Sequence, residues 1–179
     1  MEKFAFIIHP LSIHDMAHVS PVLKFIPDSW LESALKLKKP FQVSHITGIK
    51  SPYAEAEGWF IGCPLTSKQM VELPEEFVMD RIIESGKIAQ ELGAKVVGLG
   101  AFTSIVGDAG ITVAKNLDIA VTSGNSYTVA TALEGTREAV RLMGKDLATA
   151  HVTIVGASGS IGAACTRILA REAKAVSYT

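Results

Sequence analysis

Residues 151–169, HVTIVGASGSIGAACTRIL, constrain the fold more than any other stretch of the chain. The apolar run 152–155 is rich in β-branched residues and leads into three glycines spaced G-x-x-G-x-x-G, and a helical pattern follows. A strand, a glycine-rich turn and a helix in this order open a Rossmann unit, whose turn binds the pyrophosphate of a dinucleotide. The alternative is an ordinary tight turn between a strand and a helix, built from small residues.

Each glycine of this turn has its own physical reason. Gly156 lets the chain turn sharply off the strand. Gly159 leaves room where a phosphate approaches backbone N–H groups and the positive end of the helix. Gly162 lets the helix and the strand pack closely.

Composition and charge exclude several classes of protein. The chain has 179 residues, 48% of them hydrophobic and 20% charged, which is typical of a folded protein. A net charge of −1 gives no electrostatic footprint for nucleic acid. No apolar run reaches the ~18 residues of a membrane span, and no signal peptide opens the chain. Because Cys63 and Cys165 fit neither a metal site nor a disulfide framework, we expect a cytoplasmic protein.

Strands and helices alternate along the sequence. This alternation predicts an α/β fold with a mostly parallel sheet covered on both faces. The predicted strands are 4–8, 41–47, 58–63, 95–99, 119–122 and 152–155, and the longer predicted helices are 30–37, 79–92 and 125–143. The last of these helices is expected to be capped by Asn125 or Ser126.

The predicted domain boundary lies near residue 145. Residues 1–145 form a small α/β domain, and residues 146–179 hold the first β-α unit of a Rossmann domain. One such unit cannot bury its own apolar face, so the sequence looks truncated, or it is completed by another chain. An incomplete sheet also leaves an open edge, which predicts a homo-oligomer.

Three groups of residues have a functional and a structural interpretation. His14 and His18 lie four apart on a short helix predicted to start at Ser12, but no third metal ligand is evident. Cys63 is either a nucleophile or a buried structural thiol, and no base lies beside it in sequence. Four lysines in the first part of the chain form either a solvated surface or a docking surface for an acidic partner. They are Lys24, Lys36, Lys38 and Lys39.

Several blocks in a fixed order resemble one family. They are GLGAFTSIVGD (98–108), TSGNSYTVATAL (122–133), GKDLATA (144–150) and VTIVGASGSIGAACTRIL (152–169), with weaker matches in FAFIIHPLSI (4–13) and FQVSHITG (41–48). Together they resemble the long-chain acyl-[acyl-carrier-protein] reductases, the fatty-aldehyde-forming enzymes of cyanobacteria, and their bacterial relatives. The resemblance spans nearly the whole chain and about the first half of the family's length.

The resemblance implies an NADPH-dependent reduction. A fatty acyl thioester on the carrier protein passes to an enzyme cysteine, and hydride transfer releases the aldehyde. The family's cysteine lies beyond these residues, and neither Cys63 nor Cys165 matches it, so this chain alone is expected to be inactive. The residues that match the cofactor loop are Gly156, Ser158, Gly159, Ser160, Ile161 and Gly162.

The resemblance also implies polar donors around the acyl carbonyl. The candidates are Thr103, Ser104, Ser123, Gly124 and Asn125, although these residues are equally typical of helix caps and turns. The residue that would distinguish NAD from NADP belongs ~20 residues past the glycines, at or beyond the chain's end. Two alternatives remain open: another two-domain NAD(P)-dependent dehydrogenase of shikimate or amino-acid type, and a non-catalytic module that binds a carrier protein.

Overall fold

The computed structural model describes residues 1–13, 15 and 26–179. Contacts divide the chain into two compact units, residues 1–123 and residues 124–179. His14, His18 and Lys24 lie outside the described residues, as does most of the helix predicted to start at Ser12.

The first unit is built on a mixed five-stranded sheet. Its strands are β1 (Glu2–Ile8), β2 (Phe41–Lys50), β3 (Glu55–Gly62), β4 (Val96–Leu99) and β5 (Ala120–Thr122), in the order β2-β3-β1-β4-β5. Strands β1, β3, β4 and β5 run parallel, and β2 pairs antiparallel with β3. The predicted α/β fold with a mostly parallel sheet is therefore confirmed.

The helices of the first unit follow from local sequence signals. They are α1 (Asp28–Leu37), α2 (Ser67–Glu72), α3 (Glu75–Glu91) and α4 (Ile111–Lys115). Helix α2, which the sequence analysis did not predict, begins with a capping box in which Thr66 and Gln69 bond each other's backbone. Helix α3 follows Pro74 and carries two glutamates in its first turn, where the helix dipole favours negative charge.

The core of the first unit lies on one face of the sheet. Three neighbouring strands each contribute a fully buried side chain to this core: Ile7, Ile61 and Val97. They lie in one cluster with Val78 and Ile82 of α3, which are also fully buried. Removing such side chains from water is the main stabilising contribution. In the described part of this unit the opposite face carries half-exposed residues, since Phe6 is 43% and Ile8 36% exposed. The sequence predicted that both faces of the sheet are covered; in the described residues one face is fully buried and the other is partly exposed.

The second unit is a β-α-β unit with a long helix beside it. Its elements are α5 (Asn125–Leu142), β6 (His151–Ile154), α6 (Ser160–Leu169) and β7 (Ala175–Tyr178). Strands β6 and β7 pair in parallel from His151–Ala175 to Ile154–Tyr178, so the predicted β-α unit also includes the strand that follows it. Leu133 of α5 is buried in one cluster with Cys165 and Leu169 of α6.

Helix α5 belongs to the second unit by its contacts. The sequence analysis counted this helix in the first domain, because a glycine at position 144 follows it and predicted a break there. Among the apolar residues at and just after this helix, Leu133 is buried, whereas Met143 is 62% exposed. The helix begins after Gly124, whose φ of +72° suits glycine, and neither Asn125 nor Ser126 caps it.

Candidate functional site

The glycine-rich turn joins the carboxyl end of β6 to the first turn of α6. Gly156 has φ +82°, a conformation that side-chain-bearing residues rarely adopt. The Ala157 N–H donates to the Thr179 carbonyl oxygen at 3.0 Å, and the Gly159 N–H donates to the Gly156 carbonyl oxygen at 3.1 Å. The turn is therefore held by its own backbone and by the residue after β7.

Gly162 is fixed by the close approach of the helix to the turn. A Cβ atom at this position would collide with the Gly156 carbonyl oxygen and lie 3.0 Å from the Cα of Ala157. At Gly159 the same added atom would lie 3.5 Å from the Gly156 carbonyl oxygen, an ordinary contact distance. Gly162 is thus needed by the fold, whereas Gly159 keeps space open outside the turn.

The first turn of α6 offers unpaired backbone donors. Gly159 is the N-cap residue and has no side chain to accept from them. The first helical bond is made by Ala163, whose N–H donates to the Gly159 carbonyl oxygen at 2.8 Å. Within the described chain, no hydrogen bond involves the N–H groups of Ser160, Ile161 or Gly162. These N–H groups and the helix dipole form a site suited to an anionic oxygen.

Two serine hydroxyls border this site. Ser158 and Ser160 are both exposed. The Asn125 side-chain amide donates to the Ser160 Oγ at 2.8 Å. Because the Oγ is the acceptor in this bond, the Ser160 hydroxyl proton remains available for a further acceptor. Asn125, predicted beside the acyl carbonyl, therefore contacts the predicted cofactor loop.

Helices α5 and α6 run parallel, and their first turns lie at the same end of the second unit. Asn125 contacts Ser160, and Arg137 forms a bidentate pair with Glu172 at 2.9 and 2.6 Å. Each contact joins residues 35 positions apart, which requires the two segments to run in the same direction. The N-termini of the two helices therefore lie next to each other, at the Asn125–Ser160 contact.

The predicted polar residues after β4 are engaged within their own turn. The Thr103 hydroxyl is buried and donates to the Gly100 carbonyl oxygen at 2.7 Å, and the Ser104 hydroxyl donates to the Ala101 carbonyl oxygen at 2.8 Å. Both hydroxyls therefore bond to carbonyl oxygens three residues earlier in the same 3₁₀ turn, which is the structural alternative for these two residues. Ser123 ends the first unit.

His9 lies at the carboxyl end of β1 and was not among the candidate site residues of the sequence analysis. Its Nε2 accepts from the Phe102 N–H at 3.2 Å, and its Nδ1 lies 3.0 Å from the Pro10 carbonyl oxygen. The ring is therefore neutral with its proton on Nδ1, and burial lowers the pKa of His9. Next to Phe102, Ala101 has φ +47°, a strained conformation held by this loop. His9 could have been identified from the sequence, because it directly follows a predicted parallel strand and ligand sites lie at the carboxyl ends of such strands.

An apolar cavity of about 330 Å³ opens beside His9. The residues lining it come from the carboxyl ends of β1 and β3 with the segments that follow them, from the start of β2, and from α1 with the segment after it. They are Ile8, His9, Pro10, Asp15, Leu35, Lys38, Phe41, Val43, Gly62, Cys63 and Pro64. Burial raises the pKa of the Cys63 thiol to about 11, so this cysteine is a protonated thiol at neutral pH. It fits the structural interpretation better than a nucleophile.

Two further features of the described residues bear on function. No group of three or more His, Cys, Asp and Glu side chains is placed to hold a metal ion. Across the same residues, every helix is too short or too polar to cross a membrane.

The fold and the turn together define a class: an α/β protein whose second unit is a β-α-β unit with unpaired N–H donors at the N-terminus of its helix. No family model matches the chain. The chain is similar to the aminotransferase PigE of Serratia sp. (strain ATCC 39006), with 29% identity over 179 residues. This alignment covers 93% of the chain and 20% of that protein. The chain thus spans about one fifth of the curated relative it matches and is similar to part of a named enzyme.

Proposed function

We propose that the chain is the substrate-side domain and the opening of the NADP-binding domain of a reductase that converts fatty acyl thioesters of acyl carrier protein to aldehydes. The observation that carries the proposal is the turn between β6 and α6, with its unpaired N–H groups of Ser160, Ile161 and Gly162. A dinucleotide pyrophosphate is the ligand for which such a β-α-β turn is best suited. The proposed compartment is the cytoplasm.

In this proposal the residues of the turn bind and orient the cofactor. The three N–H groups would donate to pyrophosphate oxygens, and the Ser160 hydroxyl, whose oxygen accepts from the Asn125 amide, would donate a further bond. Gly159 has no side chain to occupy the space next to these N–H groups, which leaves room for a phosphate. When bound, NADPH supplies the hydride that reduces the acyl carbon. NAD is the alternative cofactor, because the turn would hold the pyrophosphate, which NAD and NADP share.

The acyl group needs a nucleophile that these residues do not supply. Cys63 is fully buried and Cys165 is 8% exposed within the second unit's core. A thiolate attacks the thioester carbonyl, the carrier thiol leaves, and hydride addition to the new thioester releases the aldehyde and the enzyme thiol. The proposal therefore assigns this cysteine to a further part of the polypeptide, and the 179-residue chain is expected to bind without turnover.

The name of the relative suggests a second candidate, a part of an aminotransferase with pyridoxal phosphate. Such enzymes hold the cofactor on a lysine in an enclosed pocket. In the described part of the chain every lysine is at least partly exposed. We therefore assign transamination to the other four fifths of such a polypeptide. An aldehyde is a substrate class that transamination converts to an amine, so a reductase segment would supply that reaction.

The deciding experiment uses the natural polypeptide that contains this chain. It is given decanoyl thioesters of acyl carrier protein with NADPH, with and without an amino donor, and NADPH oxidation and products are followed. We expect NADPH oxidation and aldehyde in both reactions. Amine formation from added decanal without any NADPH-dependent aldehyde formation would favour the aminotransferase alone.

The remaining alternatives have their own assays. Oxidation of a hydroxy acid or amino acid with NAD(P), and no aldehyde from any thioester, would favour the other two-domain dehydrogenases. Binding of acyl carrier protein at low salt by a polypeptide that oxidises no nicotinamide cofactor would favour the non-catalytic module, with the lysines at 36, 38 and 39 as its docking surface.

A further inference from the structure

Helix α1 has an apolar face that points to solvent. Trp30 is 73% exposed and Leu37 is 83% exposed. The two residues are seven positions apart, which is two helical turns, and the exposed Ala34 lies between them on the same side. We propose that this face of α1 attaches the protein to the surface of a bilayer that contains anionic phospholipid. The proposal goes beyond the proposed reductase function and does not depend on it.

The opposite side of α1 holds the helix on the first unit. Leu35 is buried there. The Gln69 side-chain amide donates to the Glu32 carbonyl oxygen at 2.8 Å, and the Arg81 guanidinium donates to the Lys36 carbonyl oxygen at 3.1 Å. These contacts fix the helix without using its exposed face. A tryptophan and a leucine in water contribute little to the fold, and they would gain free energy from transfer to an apolar environment.

Positive charge collects at the carboxyl end of this helix. Three lysines lie there, at its last turn and directly after it: Lys36, Lys38 and Lys39. The acidic residues of α1 are Asp28 and Glu32, each two positions from Trp30, which places them on the other side of the helix. Glu32 also lies 3.8 Å from the Lys68 ammonium. The apolar face is thus followed by lysines and separated from the carboxylates of α1, an arrangement that complements an anionic surface.

Shape and composition favour a bilayer over a folded partner. At ~1.5 Å per residue α1 is about 15 Å long, so it can lie along a bilayer surface but cannot cross it. Its exposed face is convex, which a fluid interface accommodates, whereas a folded protein must present a groove of matching shape. Tryptophan is enriched at the interface between headgroups and acyl chains, and lysine stems lie along apolar surface while their ammonium groups reach the headgroups. These residue types on one short helix are typical of interfacial attachment.

The attachment is expected to be weak and reversible. Two apolar side chains bury less surface than a myristoyl chain, whose association constant with a bilayer is ~10⁴ M⁻¹. Each lysine near an anionic surface strengthens binding about fivefold, and this contribution falls as the salt concentration rises. We therefore expect half of the protein to be bound at about 1 mM accessible anionic lipid at low salt.

The test is co-sedimentation of the 179-residue chain with vesicles of phosphatidylcholine, with and without phosphatidylglycerol, at low and high salt. We expect binding to the anionic vesicles that weakens at high salt, and binding to the neutral vesicles that is at least fivefold weaker. No binding, or equal binding to both kinds of vesicle, would overturn the proposal. Acyl carrier protein is titrated in parallel. If it binds and the anionic vesicles do not, the face docks an acidic protein and the proposal is wrong.

Matched variants locate the contact with the bilayer. Leu37→Ser is expected to weaken vesicle binding about tenfold, the loss that exposure of one leucine gives. Leu142→Ser is its control, because Leu142 is also the last residue of a helix and is 71% exposed; it should stay within twofold of the wild type. A triple lysine variant should weaken binding more than tenfold, and a control with the same change in net charge less than threefold. The triple variant is Lys36→Gln, Lys38→Gln and Lys39→Gln, and its control is Lys115→Gln, Lys145→Gln and Lys174→Gln. Equal effects within either pair would place the contact elsewhere and refute the assignment to α1.

Fluorescence of Trp30 reports the contact directly. The chain's other tryptophan, Trp59, is 7% exposed, so a change in emission on addition of vesicles is assigned to Trp30. We expect a blue shift with anionic vesicles and quenching by phospholipids that are brominated on their acyl chains, and neither effect in Trp30→Phe. Vesicle binding without a change in Trp30 emission would contradict the role of α1. These readouts need neither nicotinamide nucleotide nor thioester, so a chain that binds vesicles within a polypeptide that reduces no thioester loses only the proposed function.

Discussion

Replacing Gly159 with aspartate separates an anion site from an ordinary turn. Gly159 is the N-cap residue of α6, with φ −74° and ψ 161°, and this extended conformation accepts any L-residue. An added Cβ meets only an ordinary contact of 3.5 Å. The aspartate carboxylate can therefore accept from the free N–H groups of Ile161 or Gly162, as N-cap side chains do.

The expected effects on stability and binding have opposite signs. Capping and the favourable interaction with the helix dipole together raise the free energy of unfolding by about 0.5–1 kcal/mol. The same carboxylate occupies at least one of three donors and repels a pyrophosphate. A charged hydrogen bond contributes about 1.5–3 kcal/mol, so the affinity for NADPH falls about tenfold to more than a hundredfold.

The assay combines urea unfolding with a fluorescence titration of NADPH. Gly159→Asn is the matched control, because it has the same shape and caps the helix without a charge; it should show a smaller loss of affinity. A Gly159→Asp chain that binds NADPH as tightly as the wild type would refute the assignment of the turn to a pyrophosphate. A gain in stability alone is what an ordinary strand-to-helix turn would show.

Further predictions concern packing, ionisation and assembly. Gly162→Ala should destabilise the chain by about 1–3 kcal/mol because of its collision with the turn, whereas Gly135→Ala, in open space within α5, should stabilise it by up to about 1 kcal/mol; urea unfolding measures both. Iodoacetamide should not label Cys63 at pH 8 unless the chain is unfolded. Because its pKa is raised to about 11, its contribution to stability should be lost as the pH rises above about 9; labelling as fast as a free thiol would contradict this. Bonds from Thr112 lower the pKa of Asp108, so its contribution falls as the carboxylate is protonated, and Asp108→Asn should flatten the acid side of the stability profile. The two-stranded sheet leaves open edges, so we expect self-association, which a strictly monomeric chain in light scattering would contradict.

Short-range patterns predicted the elements well and their assembly less well. Short apolar runs predicted β1 and β3, and Gly156 and Gly162 have respectively the conformation and the close packing that their spacing predicts. The antiparallel placement of β2 was not predicted, because strand order depends on contacts between segments distant in sequence. Helix α2 was missed because one turn and a half of helix gives almost no periodic signal.

Contacts between residues distant in sequence were also the reason that some site residues were not predicted correctly. The role of Gly159 can be read locally, because its neighbours in sequence are also its neighbours in space. Asn125 and His9 contact residues 35 and 93 positions away, and no local pattern encodes such a partner. Asn125 was predicted beside the acyl carbonyl from the family resemblance alone, and His9 was not among the predicted site residues.

The pairing of α5 with α6 explains how a turn with few contacts of its own can be ready for a ligand. Gly156 and Gly159 have little around them, so the turn has little side-chain packing to hold it. Helix α5 supplies restraint at two points, through Asn125 on Ser160 and through Arg137 on Glu172 after α6. A group ordered before binding loses less entropy when the ligand arrives. Asn125→Ala should therefore weaken NADPH binding by freeing the Ser160 hydroxyl, while Asn125→Gln, which keeps an amide, restores part of it; equal binding by both variants and the wild type would leave α5 with a packing role alone.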